Sequence, residues 1–463
     1  MLLPIEFSAE ISQLLGPEEG ENLLRTLTES SAPTSIRLNE ARPEACPEWE
    51  SLPAVPWCRT GRYLPERPSF TFDPRLHAGA YYVQEASSMF VEQAVRQHLS
   101  DEPVVALDLC AAPGGKSTLL RSLLPEGSLL VANEIVRTRA QILAENLTKW
   151  GHPDVVVTQN APADFTPLGA LFDLILTDVP CSGEGMFRKD PASVEEWSTA
   201  NVQQCSQRQR AILQDIWPCL KPGGLLIYST CTYNLQEDEE NVRWMAEELG
   251  ADILPLQVAD EWRITGNLLP EGADFPVFRF LPHRTQGEGF FLAVLRKPAA
   301  PMEGYRRPKS GKKAAPSKPL WSKAQEATLC SWLREPQRYR LLPMGSLITA
   351  VPAPYADLCR LLMERLHVLQ AGVALAEPKG KDLVPCHALS LSTALRPDAF
   401  PRVELTYEQA ISYLRRDVIF VPSGGSKGYL LVAFYSLPLG FVKNLGSRAN
   451  NLYPNEWRIR SVR

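Results

Sequence analysis

The chain has 463 residues, 44% of them apolar and 22% charged, which supports sizeable buried cores and excludes a disordered or fibrous protein. Its length favours about two to four domains. A formal net charge of −5 excludes a global basic footprint, so any contact with nucleic acid must rest on local patches. The longest apolar runs, such as Leu171–Leu176 and Leu225–Tyr228, fall far short of the roughly 20 residues that cross a bilayer, and no membrane span is expected. The start Met-Leu-Leu-Pro-Ile-Glu has neither a basic segment nor a small-residue cleavage site, so no signal peptide and a cytoplasmic location are expected. Ten cysteines are scattered without a CxxC pair or a Cys/His group at zinc spacing, which predicts neither a disulfide framework nor a metal site.

In chain order, residues 1–100 carry two amphipathic helical stretches, Ala9–Leu15 and Glu19–Glu29, then a strand-like Ser35–Leu38 and several proline-punctuated turns. From 101 to 297, short apolar runs alternate with helical patterns. Strands are predicted at Val104–Leu109, Ser128–Glu134, Asp154–Gln159, Phe172–Asp178 and Gly224–Thr232, and helices at Lys116–Leu124, Val136–Trp150, Ala200–Leu220 and Gln236–Gly250. That alternation implies an α/β fold with a mostly parallel sheet covered on both faces, in which ligands bind at the carboxyl ends of the strands.

Residues 298–319 read PAAPMEGYRRPKSGKKAAPSKP, with no apolar periodicity and six basic residues (Arg306, Arg307, Lys309, Lys312, Lys313, Lys318) against one Glu. This pattern is a solvated linker whose charge could also track phosphates. Residues 320–463 form a further α/β region that ends in strand patterns at Tyr429–Phe434 and Leu439–Val442. Its last part mixes Lys443, Arg448, Arg458, Arg460 and Arg463 with Phe441, Tyr453 and Trp457. Cations among aromatics suit phosphate contact and base stacking, and equally suit a small β-domain with an incidental basic rim.

The segment Asp108-Leu-Cys110-Ala111-Ala112-Pro113-Gly114-Gly115-Lys116-Ser-Thr puts a small-residue loop between a buried strand and a helix. Adjacent glycines let the backbone approach a ligand, and the helix start offers unpaired N–H groups to an anion. A phosphate-binding P-loop is excluded, because the first glycine of GxxxxGK[ST] would fall at Cys110. Glu134 ends the next strand, where a carboxylate can accept both hydroxyl hydrogens of a ribose, so the arrangement fits a nucleoside cofactor.

Two cysteines follow strand ends on the same rim, in Asp178-Val-Pro-Cys181-Ser-Gly183-Glu-Gly185 and in Tyr228-Ser-Thr-Cys231-Thr-Tyr-Asn234. One such cysteine is ordinarily packing; two in polar turns point to chemistry. Carbon 5 of cytosine is too weak a nucleophile to attack a methyl sulfonium. A thiolate added to carbon 6 turns the ring into an enamine, carbon 5 takes the methyl group, and loss of the carbon 5 proton followed by elimination restores aromaticity. Asp178 is placed to bond the N3/amino edge of such a base, which must be extruded or single-stranded to be reached.

At these residues the chain resembles the NOL1/NOP2/Sun family of RNA 5-methylcytosine methyltransferases. The resemblance is carried by DLCAAPGGKS (108–117), DVPCSGEGMFRKDP (178–191) and YSTCTYNLQEDEEN (228–241), with further likeness in TSIRLN (34–39), HAGAYYVQEASSM (77–89) and FLPHRTQGEGFF (280–291). The C-terminal region, including SRANNLYPNEWRI (447–459), resembles the bacterial RsmF-like subgroup, which acts on 16S ribosomal RNA. It implies a Rossmann-like class I methyltransferase sheet at 101–297, a small N-terminal α/β domain at 1–100 and a C-terminal RNA-binding region at 320–463 ending in a PUA-like domain. It further implies Cys231 as nucleophile, Cys181 as the residue assisting release, and S-adenosylmethionine held by Cys110–Lys116, Glu134 and Asp178. After the third strand the family's usual aspartate is absent, and Asn160 or Asp164 is left to face the adenine.

Arg188 and Lys189 are expected at RNA phosphates, with His283 and Arg284 on the same rim and no catalytic role assigned to the histidine. The expected partner is ribosomal RNA or the small ribosomal subunit, met by a monomer without metal. Transfer RNA as substrate, and a non-catalytic ribosome-assembly factor of the same fold, are the alternatives.

Overall fold

The computed structural model describes residues 2–269, 274–299, 321–419, 427–446 and 448–461, so all of the predicted linker except its first two residues lies outside the described residues. The chain opens with a helical hairpin, α1 (Ile5–Leu15) and α2 (Pro17–Glu29), followed by a small antiparallel sheet of β1 (Thr34–Leu38), β2 (Gly61–Leu64) and β3 (Tyr81–Val83), with β1 in the middle. Both helices start slightly before the predicted stretches, the second at Pro17, whose fixed φ and missing N–H suit a first helical position.

The central sheet uses β4 (Val105–Asp108), β5 (Leu129–Asn133), β6 (Val155–Thr158), β7 (Phe172–Asp178), β8 (Leu220–Thr230), β9 (Asp252–Leu254), β10 (Phe278–Phe280) and β11 (Phe290–Arg296). The order β10-β11-β8-β7-β4-β5-β6 has β4 through β8 parallel and β11 antiparallel to β8. Alternate residues face two different cores: Leu130, Ala132, Leu174 and Leu176 pack on one face, and Leu129, Val131, Phe172 and Ile175 on the other. This explains why these strands read as continuous apolar runs rather than as alternating patterns. Each leucine, valine, isoleucine or phenylalanine among them contributes about 1.5–3 kcal/mol by burial.

Helices Gly115–Leu123, Arg137–Trp150, Thr199–Ile216 and Glu239–Leu249 cover the sheet. The third stops four residues short of its predicted end because Pro218 diverts the chain into a 3-10 turn at Trp217–Cys219. The fourth starts late because the Asn234 side chain accepts the Glu237 N–H at 2.9 Å and holds a separate turn there. Among the described residues no helix is long and apolar enough to cross a membrane.

The C-terminal region holds β12 (Tyr339–Met344), β13 (Leu347–Pro352), β14 (Val368–Ala371), β15 (Val373–Lys379) and β16 (Asp382–Pro385), then β17 (Arg402–Glu404), β18 (Gly428–Phe434), β19 (Leu437–Asn444) and β20 (Ala449–Asn451). Two four-stranded sheets result, β12-β13-β15-β16 and β17-β18-β19-β20. The remaining strand, β14, joins the central sheet antiparallel to β6, pairing Val368 with Thr158 and Ala371 with Val156. A segment from beyond the linker thus closes the edge of the central sheet, which periodicity along the chain does not reveal.

Candidate active site

The loop after β4 is shaped by its glycines. Gly114 has φ 117°, a left-handed value that favours glycine, and the helix Gly115–Leu123 starts directly after it. Asp108, fully buried at the end of β4, accepts a hydrogen bond from Ser117 at 2.6 Å. Burial pushes its carboxyl up to about 7, with the Ser117 bond opposing. Its other oxygen is buried without a hydrogen-bond partner. Underneath, the buried Arg37 of the TSIRLN motif donates to Thr118 at 2.5 Å and stacks on Trp150, bracing this helix against β1.

Glu134 lies just past β5, where its carboxylate accepts the Val136 N–H at 2.9 Å and faces Arg139 at 3.4 Å. Arg139 also donates to the Ala112 carbonyl at 3.0 Å, which ties the two strand-end loops together. Asn160 faces the C-terminal region: its amide oxygen accepts the His367 N–H at 3.1 Å, and its amide nitrogen reaches Asp164 at 3.3 Å. The oxygen expected to receive an adenine amino hydrogen is therefore already engaged once, leaving one lone pair. Asp164 spends one oxygen on the Ala161 N–H at 2.9 Å.

Adjacent strands β7 and β8 bring the two cysteine turns together. Asp178 is the register partner of Ser229, whose hydroxyl donates to it at 2.8 Å. Lys116 reaches the other carboxylate oxygen of Asp178 at 2.9 Å. Burial disfavours the ammonium charge, but Asp178 and the nearby Cys231 sulfur outweigh it and raise the lysine above its ordinary value. Cys181 Sγ and Cys231 Sγ stand 3.2 Å apart, and both are free cysteines, the spacing exceeding a disulfide bond of about 2.05 Å. The hydrogen bond to Cys231, together with burial, holds the Cys181 thiol well above the ordinary thiol range. Either sulfur can be the donor in this contact.

Buried carboxylates that the sequence reading did not single out lock these turns. Glu184 accepts the N–H of Tyr233 at 2.6 Å and the side chains of Asn234 and Trp197, each at 2.9 Å. In the reverse direction Glu237 accepts the Ser182 N–H at 3.1 Å, the Ser182 hydroxyl and the Gln209 amide at 2.6 Å. Each turn therefore supplies a carboxylate to the other. Arg279, wholly buried, pairs with Asp238 at 2.8 Å and with Glu239, while Asp238 accepts from Thr230 and Thr232 on either side of Cys231. Gly185 makes the approach possible, because a Cβ there would lie 2.9 Å from the Cys231 carbonyl and 2.6 Å from that of Gly289. Composition of the two motifs shows the acidic residues, but nothing in it says that they are buried.

Placement corrects the expected basic contacts. Arg188 is only 4% exposed; it pairs with Glu288, also 4% exposed, at 2.9 Å and donates to Gly287 and Ser30, so its charge is spent inside the protein. Lys189 is exposed and lies 3.6 Å from the same Glu288. His283 and Arg284 both pair with Glu19 of α2, at 2.8 and 2.7 Å, and dock the helical hairpin on the central sheet. Near the C-terminus, Phe441 and Tyr453 are core residues rather than exposed stacking platforms.

A Rossmann-like sheet with a glycine loop after its first parallel strand, an acidic residue after its second and paired cysteines at adjacent strand ends defines an S-adenosylmethionine-dependent methyltransferase. Family models described as 16S rRNA methyltransferase RsmB/F, the N-terminal domain of 16S rRNA methyltransferase RsmF and the methyltransferase RsmF PUA domain match residues 97–296, 3–86 and 400–459. The chain belongs to the RsmF family of 16S ribosomal RNA methyltransferases. It is 31% identical to ribosomal RNA small subunit methyltransferase F of Salmonella heidelberg, over 88% of this chain and 85% of that one. Identity to the protein of the same name from Erwinia tasmaniensis is 29%, over 98% and 97%. Among solved structures, a methyltransferase homologue from Pyrococcus horikoshii is similar at TM-score 0.53 and 26% identity, covering 63% of this chain and 94% of that one. NSun6 from the same organism, solved with SFG, shares the fold at TM-score 0.53 and 22% identity, over 64% of this chain and 98% of that one.

Proposed function

We propose that the protein methylates carbon 5 of a cytosine in small-subunit ribosomal RNA, using Cys231 as a covalent nucleophile and S-adenosylmethionine as donor. The observation that carries this reading is the 3.2 Å contact between the Cys231 and Cys181 sulfurs beside the Asp178–Lys116 pair. Cys110–Lys116, Glu134, Asn160 and Asp178 would hold the donor, and the free buried oxygen of Asp108 and the acidic Glu134 suit a cationic nucleoside. When bound, the donor supplies an electrophilic methyl group on a sulfonium.

The chain's own residues account for the rest. Lys116 sets a positive charge near Cys231, and the Cys231 thiolate adds to carbon 6 of the pyrimidine. Asp178, oriented by Ser229 and Lys116, receives the N3/amino edge and balances charge as sulfur adds. Cys181 holds a proton beside the attacking sulfur, so that it supports elimination after carbon 5 has lost its own proton. Residues 1–100 and 320–463 flank the catalytic segment 101–297 and serve to hold the RNA in the cytoplasm, where the chain acts on ribosomal RNA or the small subunit as a monomer. Bisulfite sequencing of small-subunit RNA with and without the gene tests the reading. A cytosine whose methylation disappears on deletion is expected; a methylation map left intact overturns it.

A further inference from the structure

One wall of a groove of ≈ 620 Å³ lies near Gly151, just before β6, at the amino-terminal end of the parallel strands and away from the cysteine rim. Arg42, Arg334 and Arg402 line it, and no carboxylate does. Among the described residues none of the three arginines makes an ion pair, although the chain as a whole is acidic and pairs Arg59, Arg75, Arg188 and Arg338 with carboxylates. Arg334 and Arg402 are exposed; Arg42 is anchored by the Leu391 carbonyl at 2.5 Å and leaves its Nε buried without a partner.

Tyr435 stands on the rim of this groove, at the turn joining β18 to β19, and is 71% exposed. Tyr435 and Ser436 have φ 49° and 60°, left-handed values that glycine or asparagine would adopt more readily in a two-residue hairpin turn. The turn is held in place: Glu404 accepts the Ser436 N–H at 3.0 Å from outside the groove, and the Tyr435 ring meets Phe434 edge-on at 4.6 Å. The contact with Phe434 leaves most of the Tyr435 ring open to solvent on a turn that disfavours a bulky residue.

We propose that this groove binds single-stranded RNA, with Arg42, Arg334 and Arg402 on phosphates and the Tyr435 ring stacked on a base. Guanidinium groups match phosphate oxygens two at a time, and an aromatic face accepts any base. The seven residues of β7 span about 23 Å, so the nucleotide held in this groove is a different one from that presenting its base to Cys231. This rests on the RNA-methyltransferase reading and adds a second point of attachment to it. An acidic polypeptide would satisfy the arginines but would leave the exposed ring without a use.

The test is fluorescence anisotropy of the full chain with a fluorescein-labelled, 4-thiouridine-containing single-stranded RNA of about twelve nucleotides, a length within the usual range of such sites. Tyr435→Gly, which suits the left-handed turn, should weaken binding about 10-fold. Arg402→Ala should lower the slope of log K against log salt by about 0.7. In the wild type, photocrosslinks should map to peptides containing Arg402 and Tyr435. Methyl transfer at saturating substrate should be unchanged in both variants, so loss of the groove and failure of the methylation reading give separate signals. Unaltered RNA affinity in folded variants, crosslinks that avoid both peptides, or variants that lose binding of polyglutamate while keeping RNA would each overturn the proposal.

Discussion

Cys181 Sγ lies 3.2 Å from Cys231 Sγ, across two strand-end turns that are 50 positions apart in the chain. The proposed covalent route assigns the nucleophile to Cys231 and leaves Cys181 to assist release. RNA carrying 5-azacytosine should form a covalent complex with wild-type protein and none with Cys231→Ala, read as a shifted band on a denaturing gel. Cys181→Ala should form the complex and fail to resolve it on ordinary RNA, with turnover lowered at least about 100-fold, the scale of a lost proton-transfer group. Adducts that survive in Cys231→Ala and vanish in Cys181→Ala would exchange the two roles.

Glu237 meets donors only: Ser182 of the Cys181 turn, Gln209 of the helix Thr199–Ile216 and Asn234 of the Cys231 turn. Glu237→Gln places an N–H₂ group against those donors and should cost about 1–3 kcal/mol in urea unfolding. Burial, with the neighbouring Glu184, raises this carboxyl from 4.5 to about 7. A group that binds its proton more tightly when folded stabilises most below about pH 4.5, and this contribution is lost as pH rises through about 7. The stability gap between wild type and variant should therefore narrow over that window; a constant gap from pH 4.5 to 8 would count against the assignment.

Gly185→Ala drives a methyl group to within 2.6 Å of the Gly289 carbonyl and 2.9 Å of the Cys231 carbonyl. Both contacts are backbone, so relief requires moving the turn. The expected cost is about 1–3 kcal/mol of stability, with a larger proportional loss of methyl transfer than of RNA affinity. Equal losses of kcat and binding would place the effect on RNA contact instead.

Arg188→Ala tests whether this arginine serves the fold or the RNA. Removing it strips Glu288 of its nearest cation and should destabilise by about 3–5 kcal/mol, measured by urea unfolding at neutral pH. The salt dependence of RNA binding should stay as in the wild type for the fraction that remains folded. A reduced salt slope with unchanged stability would restore the phosphate contact expected from its position after the Cys181 turn.

Local pattern was enough to locate the parallel strands, because residues buried on both faces form apolar runs, although β8 begins at Leu220 rather than at the predicted Gly224, where the partly exposed Lys-Pro-Gly stretch gives no such run. The glycine loop and both cysteine turns could be located in the sequence because Gly, Pro, Ser and Thr interrupt the apolar runs at the strand ends. Arg188 and the aromatics Phe441 and Tyr453 were not, since a sequence shows charge and ring but not accessibility.

What the order of amino acids determined by itself was which segments become strands and which side chains end up at their carboxyl ends. Only tertiary structure decided that β7 lies beside β8, which turns two distant cysteines into a contacting pair, and that β14 crosses from the C-terminal region to seal β6 and engage Asn160. The physical reason is that strand neighbours are chosen by hydrogen bonding and burial across the whole sheet, whereas periodicity reports only the environment of one strand at a time.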